Sequence, residues 1–167
     1  MKMILLTNGH EAIVDDEDYE KVSRYRWTSY SANGEGVRWY PVITIHSGIF
    51  QIQANRSMAR VVLGFPRAQC IDHINGNPLD NRKANLRIAT AQQNSRNMCK
   101  ARLGSAASKY KGVTSYYGKW RTYIAVDRKK KYLGYFPCQF CAALAYDMAA
   151  IDLFEEYARP NILKAPT

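Results

Sequence analysis

Between Cys70 and Asn97 the chain reads CIDHINGNPLDNRKANLRIATAQQNSRN, and this stretch restricts the fold more than any other. A short apolar run ends in Asp72-His73, a segment dense in Asn, Gly, Pro and Asp breaks it, and Asn85-Leu86-Arg87-Ile88-Ala89 recovers a second strand. Thr90 followed three residues later by Gln93 is a capping-box pattern, so a helix is expected from Ala91 with Asn94 in its first turn. The unit is strand, long loop, strand, helix. It brings a carboxylate, an imidazole and two side-chain amides to the ends of elements that can converge.

That set of groups suits phosphodiester hydrolysis, which needs an activated water, neutralised charge on the scissile phosphate and help for the leaving oxygen. His73 is the candidate base, because an imidazole titrates near working pH. Asp72 is a hard oxygen ligand and Asn94 can add an amide oxygen, a donor pair for Mg²⁺, with Mn²⁺ as the alternative. Successive strand residues point to opposite sides, so Asp72 and His73 can serve metal and water separately. Asn85 is expected to hydrogen-bond the loop carrying His73 and fix its orientation. His10 and His46 lack such company and read as structural or solvent-facing.

Charge points to the partner. Residues 1 to 60 carry seven basic and seven acidic side chains, whereas residues 61 to 167 carry 17 basic and seven acidic, which is the whole net charge of +10. Between Asp80 and Asp127 there is no acidic residue. Arg82, Lys83, Arg87, Arg96, Lys111 and Arg121 lie in that span, interleaved with Tyr110, Tyr116, Tyr117, Trp120 and Tyr123. A one-sign run with aromatics is the footprint of a nucleic-acid partner.

At 167 residues the chain suffices for one ordinary domain or two small ones. No apolar run approaches the roughly 20 residues of a membrane span, and the N-terminal apolar stretch is short for a signal peptide, so an intracellular protein is expected. Cys138-x-x-Cys141 has half of a zinc-site pattern and no matching second pair, so the four cysteines read as reduced thiols.

Along the chain, residues 4 to 14 predict two short strands around Asn8-Gly9. A short acidic helix follows with Val22, Tyr25 and Trp27 on one face, then a β-meander with turns at Ser31 to Gly36 and around Ser47-Gly48. Arg56 to Leu63 has helical spacing. After a helix from Ala91 to about Arg102, the small uncharged LGSAAS at 103 to 108 looks like a linker between domains 1–102 and 109–167. Beyond it, three short strands with turns at Tyr117-Gly118 and Asp127 to Lys130 precede an amphipathic helix over Cys141 to Tyr157, whose expected face is Ala142, Ala145, Tyr146, Ala149 and Leu153. The fold class is α+β.

Asp72-His73, Asn85 and Asn94, within the wording DHINGNPLDNRKANLR, resemble the HNH homing endonucleases of phages and introns, over roughly residues 1 to 100. The resemblance implies a ββα-metal fold preceded by a β-meander. It makes His73 the general base, Asp72 and Asn94 metal ligands, and Asn85 structural. It also implies a monomer acting on double-stranded DNA, one strand per event, in the cytoplasm of a bacterial or phage-infected cell. Many relatives have a histidine before the arginine in the preceding helix, where this chain has Ala59-Arg60.

YKGV, GKW, YLGYF and AALAYDMAA, in order from Tyr110 to Ala150, resemble the ethylene-response-factor type of DNA-binding domain, a three-stranded antiparallel sheet on one helix whose outer face enters the major groove. Alternation assigns Val113, Trp120, Thr122, Ile124 and Leu133 to the inner face and leaves Lys111, Arg121, Tyr123, Lys130 and Tyr132 for DNA. Thr114, Tyr123 and Ala125 stand where plant members have base-reading arginines, so the plant target sequence does not carry over. Two other classes fit the same features: a regulator descended from such a nuclease and no longer cleaving, and a protein acting on RNA, since a basic aromatic surface also suits single strands.

Overall fold

The structure, a computed structural model, describes residues 1–31, 39–46, 53–64, 66, 70–97 and 108–164. Residues 103–107 of the expected 103–108 linker, the turn residues 32–36 and 47–48, Cys99 and the expected helical extension past Asn97 lie outside the described residues. The chain forms two compact units, Met1–Ala91 and Gln92–Thr167.

In the first unit, β1 (Lys2–Leu5) and β2 (Glu11–Val14) pair antiparallel, with Leu5 opposite Glu11. The reversal runs through Gly9 at φ 84°, a conformation open to glycine because it has no Cβ. Ile4, Ala12 and Val14 face inward. The acidic segment forms α1 (Asp16–Ser23), where Asp16, Glu17 and Asp18 in the first turn complement the positive end of the helix dipole. This helix is shorter than its apolar spacing predicts. Val22 is buried on it, but Tyr25 and Trp27 lie beyond its end, Tyr25 exposed and Trp27 buried with its indole Nε1 donating to the Val22 carbonyl at 2.8 Å.

A three-stranded antiparallel sheet follows, in the order β3 (Thr28–Ser31), β4 (Trp39–His46), β5 (Gln53–Ser57). Residues 53–57 stay extended because they pair with β4, so the next helix, α2 (Met58–Val62), starts two residues later than its pattern suggests. Met58, Ala59, Val61 and Val62 are all buried and pack with Ile4, Leu6, Val14, Val22, Trp27 and Leu86 into one core. His10 is structural as expected, its Nδ1 2.9 Å from the Ser29 hydroxyl.

The motif stretch supplies β6 (Cys70–His73) and β7 (Leu86–Ala89), an antiparallel pair with Asp72 opposite Arg87 and His73 opposite Leu86. Asn85 closes a 3-10 turn over Lys83–Asn85 rather than opening the strand. The loop between the strands is fastened to β2: Ile13 donates to the Leu79 carbonyl and accepts from the Asn81 amide, each at 2.8 Å. Next comes α3 (Ala91–Asn97), starting at the predicted residue.

The second unit contains β8 (Val113–Tyr116), β9 (Lys119–Val126) and β10 (Lys129–Phe136), antiparallel with β9 central. Tyr117-Gly118 and Asp127-Arg128 connect them, all four residues at positive φ, as two-residue hairpins that match strand twist require. The sheet packs on α4 (Gln139–Phe154). Its start falls two residues before the predicted one, because the Cys138 sulfur caps it, accepting from the Cys141 amide at 3.1 Å.

The face of α4 that is buried also differs from the expected one. Ala142, Ala143, Tyr146, Asp147, Ala150 and Phe154 are buried, while Ala145, Ala149 and Leu153 are half-buried. Asp147 belongs inside because its carboxylate accepts four N–H groups, from the backbone and side chain of Asn161 and the backbones of Ile162 and Leu163, at 2.6 to 3.0 Å. Tyr146 packs on Gly112, where an added Cβ would lie 2.2 Å from the ring. Burial of that phenol, with Asp147 beside it, pushes its pKa far up.

Candidate active site and nucleic-acid face

The loop between β6 and β7 is held by side chains that bind each other. Asn85 is buried; its Oδ1 accepts from the Asn75 backbone at 2.9 Å, and its Nδ2 donates to the Asp80 carbonyl at 2.8 Å and to Asn75 Oδ1 at 3.1 Å. Asn75 Nδ2 in turn donates to Asp80 Oδ2 at 2.9 Å, and the backbone amides of Asn77 and Leu79 donate to the Asn75 and Asn77 side-chain oxygens, the local turns that Asn favours. Arg82 closes the set with two hydrogen bonds to Asp80, at 2.8 and 2.7 Å, and this guanidinium holds the buried Asp80 carboxyl below its usual range.

His73 stands at the rim of this network, half-buried. Its Nε2 lies 3.3 Å from Asn81 Oδ1. Asn81 is 1% exposed, and its Nδ2 donates to the Pro78 carbonyl at 3.1 Å, which leaves Oδ1 as the atom facing the imidazole. The Nε2–H of His73 is therefore the donor of that pair. The chain pattern singled out Asn85 and passed over Asn81 and Asp80. An Asp-Asn pair in a turn reads as backbone geometry until the chain is folded.

Asp72 is buried, and its Oδ2 receives Arg87 Nε at 2.8 Å and Nη2 at 2.7 Å, a cross-strand pair set by the β6–β7 register. Among the described residues no three His, Cys, Asp or Glu side chains form a cation site. Asp72 is a single hard carboxylate donor, which suits Mg²⁺ completed by water and phosphate oxygens and does not make a structural zinc site. Asn94 is half-buried in the first turn of α3, within the second unit.

Several cations expected to meet nucleic acid have partners within their own unit. Arg82 pairs with Asp80, Arg87 with Asp72, and Lys83 donates its ammonium to Glu17 and Asp18 and its backbone amide to Asp15. Arg87 is only 14% exposed. In the second unit, Arg96 lies 4.5 Å over the Phe154 ring, and Lys111, which precedes the sheet instead of lying on its face, donates to the Arg96 carbonyl at 2.6 Å.

The sheet itself divides as alternation predicts over β8 and β9. Val113, Thr122 and Ile124 are buried and Trp120 is half-buried, while Arg121 and Tyr123 face away from α4 with Lys130 and Tyr132. Alternation fails in β10. A bulge between Tyr132 and Gly134 shifts the register, so Tyr135, three residues on, stands beside Tyr132 on the outer face, their ring centroids 5.5 Å apart. The Arg121 guanidinium lies over two rings, 4.4 Å from the Tyr116 centroid and 5.0 Å from that of Tyr123. No helix among the described residues is long and apolar enough to cross a membrane.

A family model described as HNH endonuclease matches residues 62–96, the span from the end of α2 through the loop network to α3. An uncharacterized HNH endonuclease of Acanthamoeba polyphaga mimivirus is 30% identical over 156 residues, covering 92% of this chain and 75% of its own. The likeness thus runs through both units as well as the motif. With the His73 loop built as described, the chain belongs to the HNH endonuclease family and is a nuclease.

Proposed function

We propose that the protein is a homing-type endonuclease that hydrolyses phosphodiester bonds in duplex DNA, in a divalent-metal-dependent reaction that breaks one strand per event. The observation that carries this reading is the interlocked Asn75, Asp80 and Asn85 network, which sets the loop that follows His73, together with Asn81, whose Oδ1 faces the His73 ring. His73 takes the proton from the attacking water. Asn81 positions it through Nε2, and Asn85 holds the loop. Asp72 in the first unit would be an oxygen donor to a divalent ion, Mg²⁺ or Mn²⁺, which when bound supplies neutralisation of the phosphate and of the leaving oxygen. The amide oxygen of Asn94 is the other donor that the family resemblance implies.

The second unit, which resembles the ethylene-response-factor type of domain, serves to hold the substrate. Arg121, Tyr123, Lys130 and Tyr132 form its contact face. Arg82, Lys83, Arg87, Arg96 and Lys111 add positive potential around their internal partners and reach phosphate only by exchanging them. Binding by one unit raises the local concentration of the scissile bond at the other. A monomer suffices, and the site of action is the cytoplasm of a bacterial or virus-infected cell.

The test is nicking of supercoiled plasmid in Mg²⁺ and in EDTA. The parent protein converts plasmid to open circles only with Mg²⁺, and His73→Ala does not. Equal cutting by parent and variant would sink the assignment of the base. A second reading, a DNA-binding regulator that no longer cleaves, is favoured by one observation: Arg87 already neutralises Asp72. Absence of nicking by the parent with either metal, while DNA is bound, would select it.

A further inference from the structure

The outer face of the β8–β10 sheet carries more aromatic surface than the reading of a duplex uses. Tyr117, 90% exposed, meets Tyr116 edge-on at 4.6 Å, and Tyr116 stacks on Tyr135 at 5.5 Å with 27° between the planes. The chain of rings continues to Tyr132 and from there to Tyr123, 5.4 Å away. At its β8–β9 end, Tyr116, Tyr117, Tyr135 and Lys119 line a cleft of about 340 Å³, within the size range of small-ligand sites.

In a duplex both faces of each base are covered by its neighbours, and only edges reach a groove, where hydrogen-bonding side chains read them. A tyrosine ring gains stacking only against a base that has left the stack. On this face the residue best equipped to read an edge, Arg121, is engaged with the Tyr116 and Tyr123 rings, and its Nε is buried without a hydrogen-bond partner. Its cross-strand neighbours are the small Thr114 and the ring of Tyr135, and the outer position further along β9 is the small Ala125. Cations flank the rings on this face: Lys119 at the cleft and Lys130, opposite Ala125, at the far end, both exposed, with Asp127 the one acid from Val113 to Phe136. Exposed π-surface within a cationic frame complements a strand that offers bases and phosphates together.

We propose that this face is a stacking site for single-stranded DNA, and that the cleft takes one unpaired base between the Tyr117 and Tyr135 rings while Lys119 meets its phosphate. The inference rests on the second unit being the part that holds DNA, and it specifies the form held: a strand opened or frayed from the duplex rather than the intact helix.

The experiment uses the full chain in EDTA, so that binding is read without cleavage, with a labelled mixed-sequence strand, the same sequence as a blunt duplex, and the RNA version. Fluorescence anisotropy should find the single DNA strand bound at least as tightly as the duplex. Tyr117→Ala and Tyr135→Ala should each weaken it by about tenfold, with the salt dependence of binding unchanged because stacking releases no counterions. Tyr117→Phe, which keeps the ring, should bind like the parent, and coinciding thermal melts show that the variants are folded. Alanine variants that bind the strand as the parent does overturn the proposal. So does an equal loss for strand and duplex, which marks a general basic surface, or a preference for the RNA. Because cleavage is not read, a parent that fails to nick plasmid leaves this result standing, and loss of this result leaves the nicking assay standing.

Discussion

The loop around His73 and the outer face of the β8–β10 sheet are both polar surfaces made by short strands, yet they use side chains in opposite ways. In the loop, Asn75, Asp80, Arg82 and Asn85 turn toward one another, and Asp80 and Asn85 are as buried as the core. On the sheet, Tyr116, Tyr117, Tyr132 and Tyr135 turn outward in a chain of ring contacts, with Arg121 over Tyr116. The first pattern preorganises a reacting group before substrate arrives, and the second leaves contact energy to be realised on binding. Under the proposed function, a fixed centre of generic chemistry combined with an adaptable surface would divide reaction from attachment.

That division is breakable in order of expected effect. Replacing His73 with alanine should lower the nicking rate by about 10²- to 10⁴-fold, the range for loss of a general base, while DNA affinity measured in EDTA changes by less than about twofold. A parallel loss of affinity would mean that the loop also attaches substrate. Asn85→Ala should act on stability as well as on rate. Three hydrogen bonds disappear and the Asn75 amide and Asp80 carbonyl lose a partner, so urea unfolding of the first unit should report a loss of about 3 kcal/mol. An unchanged midpoint would show that water replaces the side chain.

Asn81→Ala touches fewer groups but one that matters. It should lower kcat by roughly tenfold with KM nearly unchanged, as removal of a positioning contact does. Asn81→Asp, which keeps an oxygen toward Nε2, should recover part of that loss; no recovery would mean that Asn81 acts only through the loop backbone.

Lowering the pH separates the regions more gently. The folded Asp80 carboxyl is held below its unfolded value by Arg82, so its contribution to stability is fully present above the usual carboxylate pKa of about 3.9 and is lost as pH falls through the lower folded value. Thermal melts between pH 5 and 2.5 should show that loss in the parent and a flatter profile in Asp80→Asn; equally steep profiles would remove Asp80 from the account. Lys130→Ala should have the smallest effect, a few-fold weaker DNA binding with a salt slope reduced by about one unit, read from affinities at several salt concentrations. An unchanged slope would take Lys130 off the contact face.

Much of the framework was legible because alternation and turn chemistry act locally. Asn8-Gly9 placed the first hairpin, Tyr117-Gly118 a second, and the capping pattern at Thr90 the start of α3. What escaped depends on partners distant in sequence. Pairing with β4 kept Arg56 extended against its helical spacing, and the acceptor demand of residues 161–163 drew Asp147 inside a helix whose pattern exposes it. Tyr135 was hidden by a bulge that adds one residue to an alternating count. In the site, Asp72, His73 and Asn85 stood out by type and spacing, whereas Asn81 gains meaning only from Pro78 and His73 on either side of it, and Arg87 only from the register that sets it opposite Asp72.

Asn161 joins the two ends of the sheet-and-helix segment: its Oδ1 accepts from the Lys111 amide at 2.6 Å, and its Nδ2 donates to the Lys111 carbonyl at 3.2 Å. The chain therefore enters and leaves this segment side by side, like the two sides of a stalk. Such a module fits into a surface loop of another protein without stretching either host strand, and it tolerates being cut at a hairpin and rejoined through its old ends. The sheet and its helix are thus a portable segment, and under the proposed function a nuclease centre could acquire a new address by exchanging it.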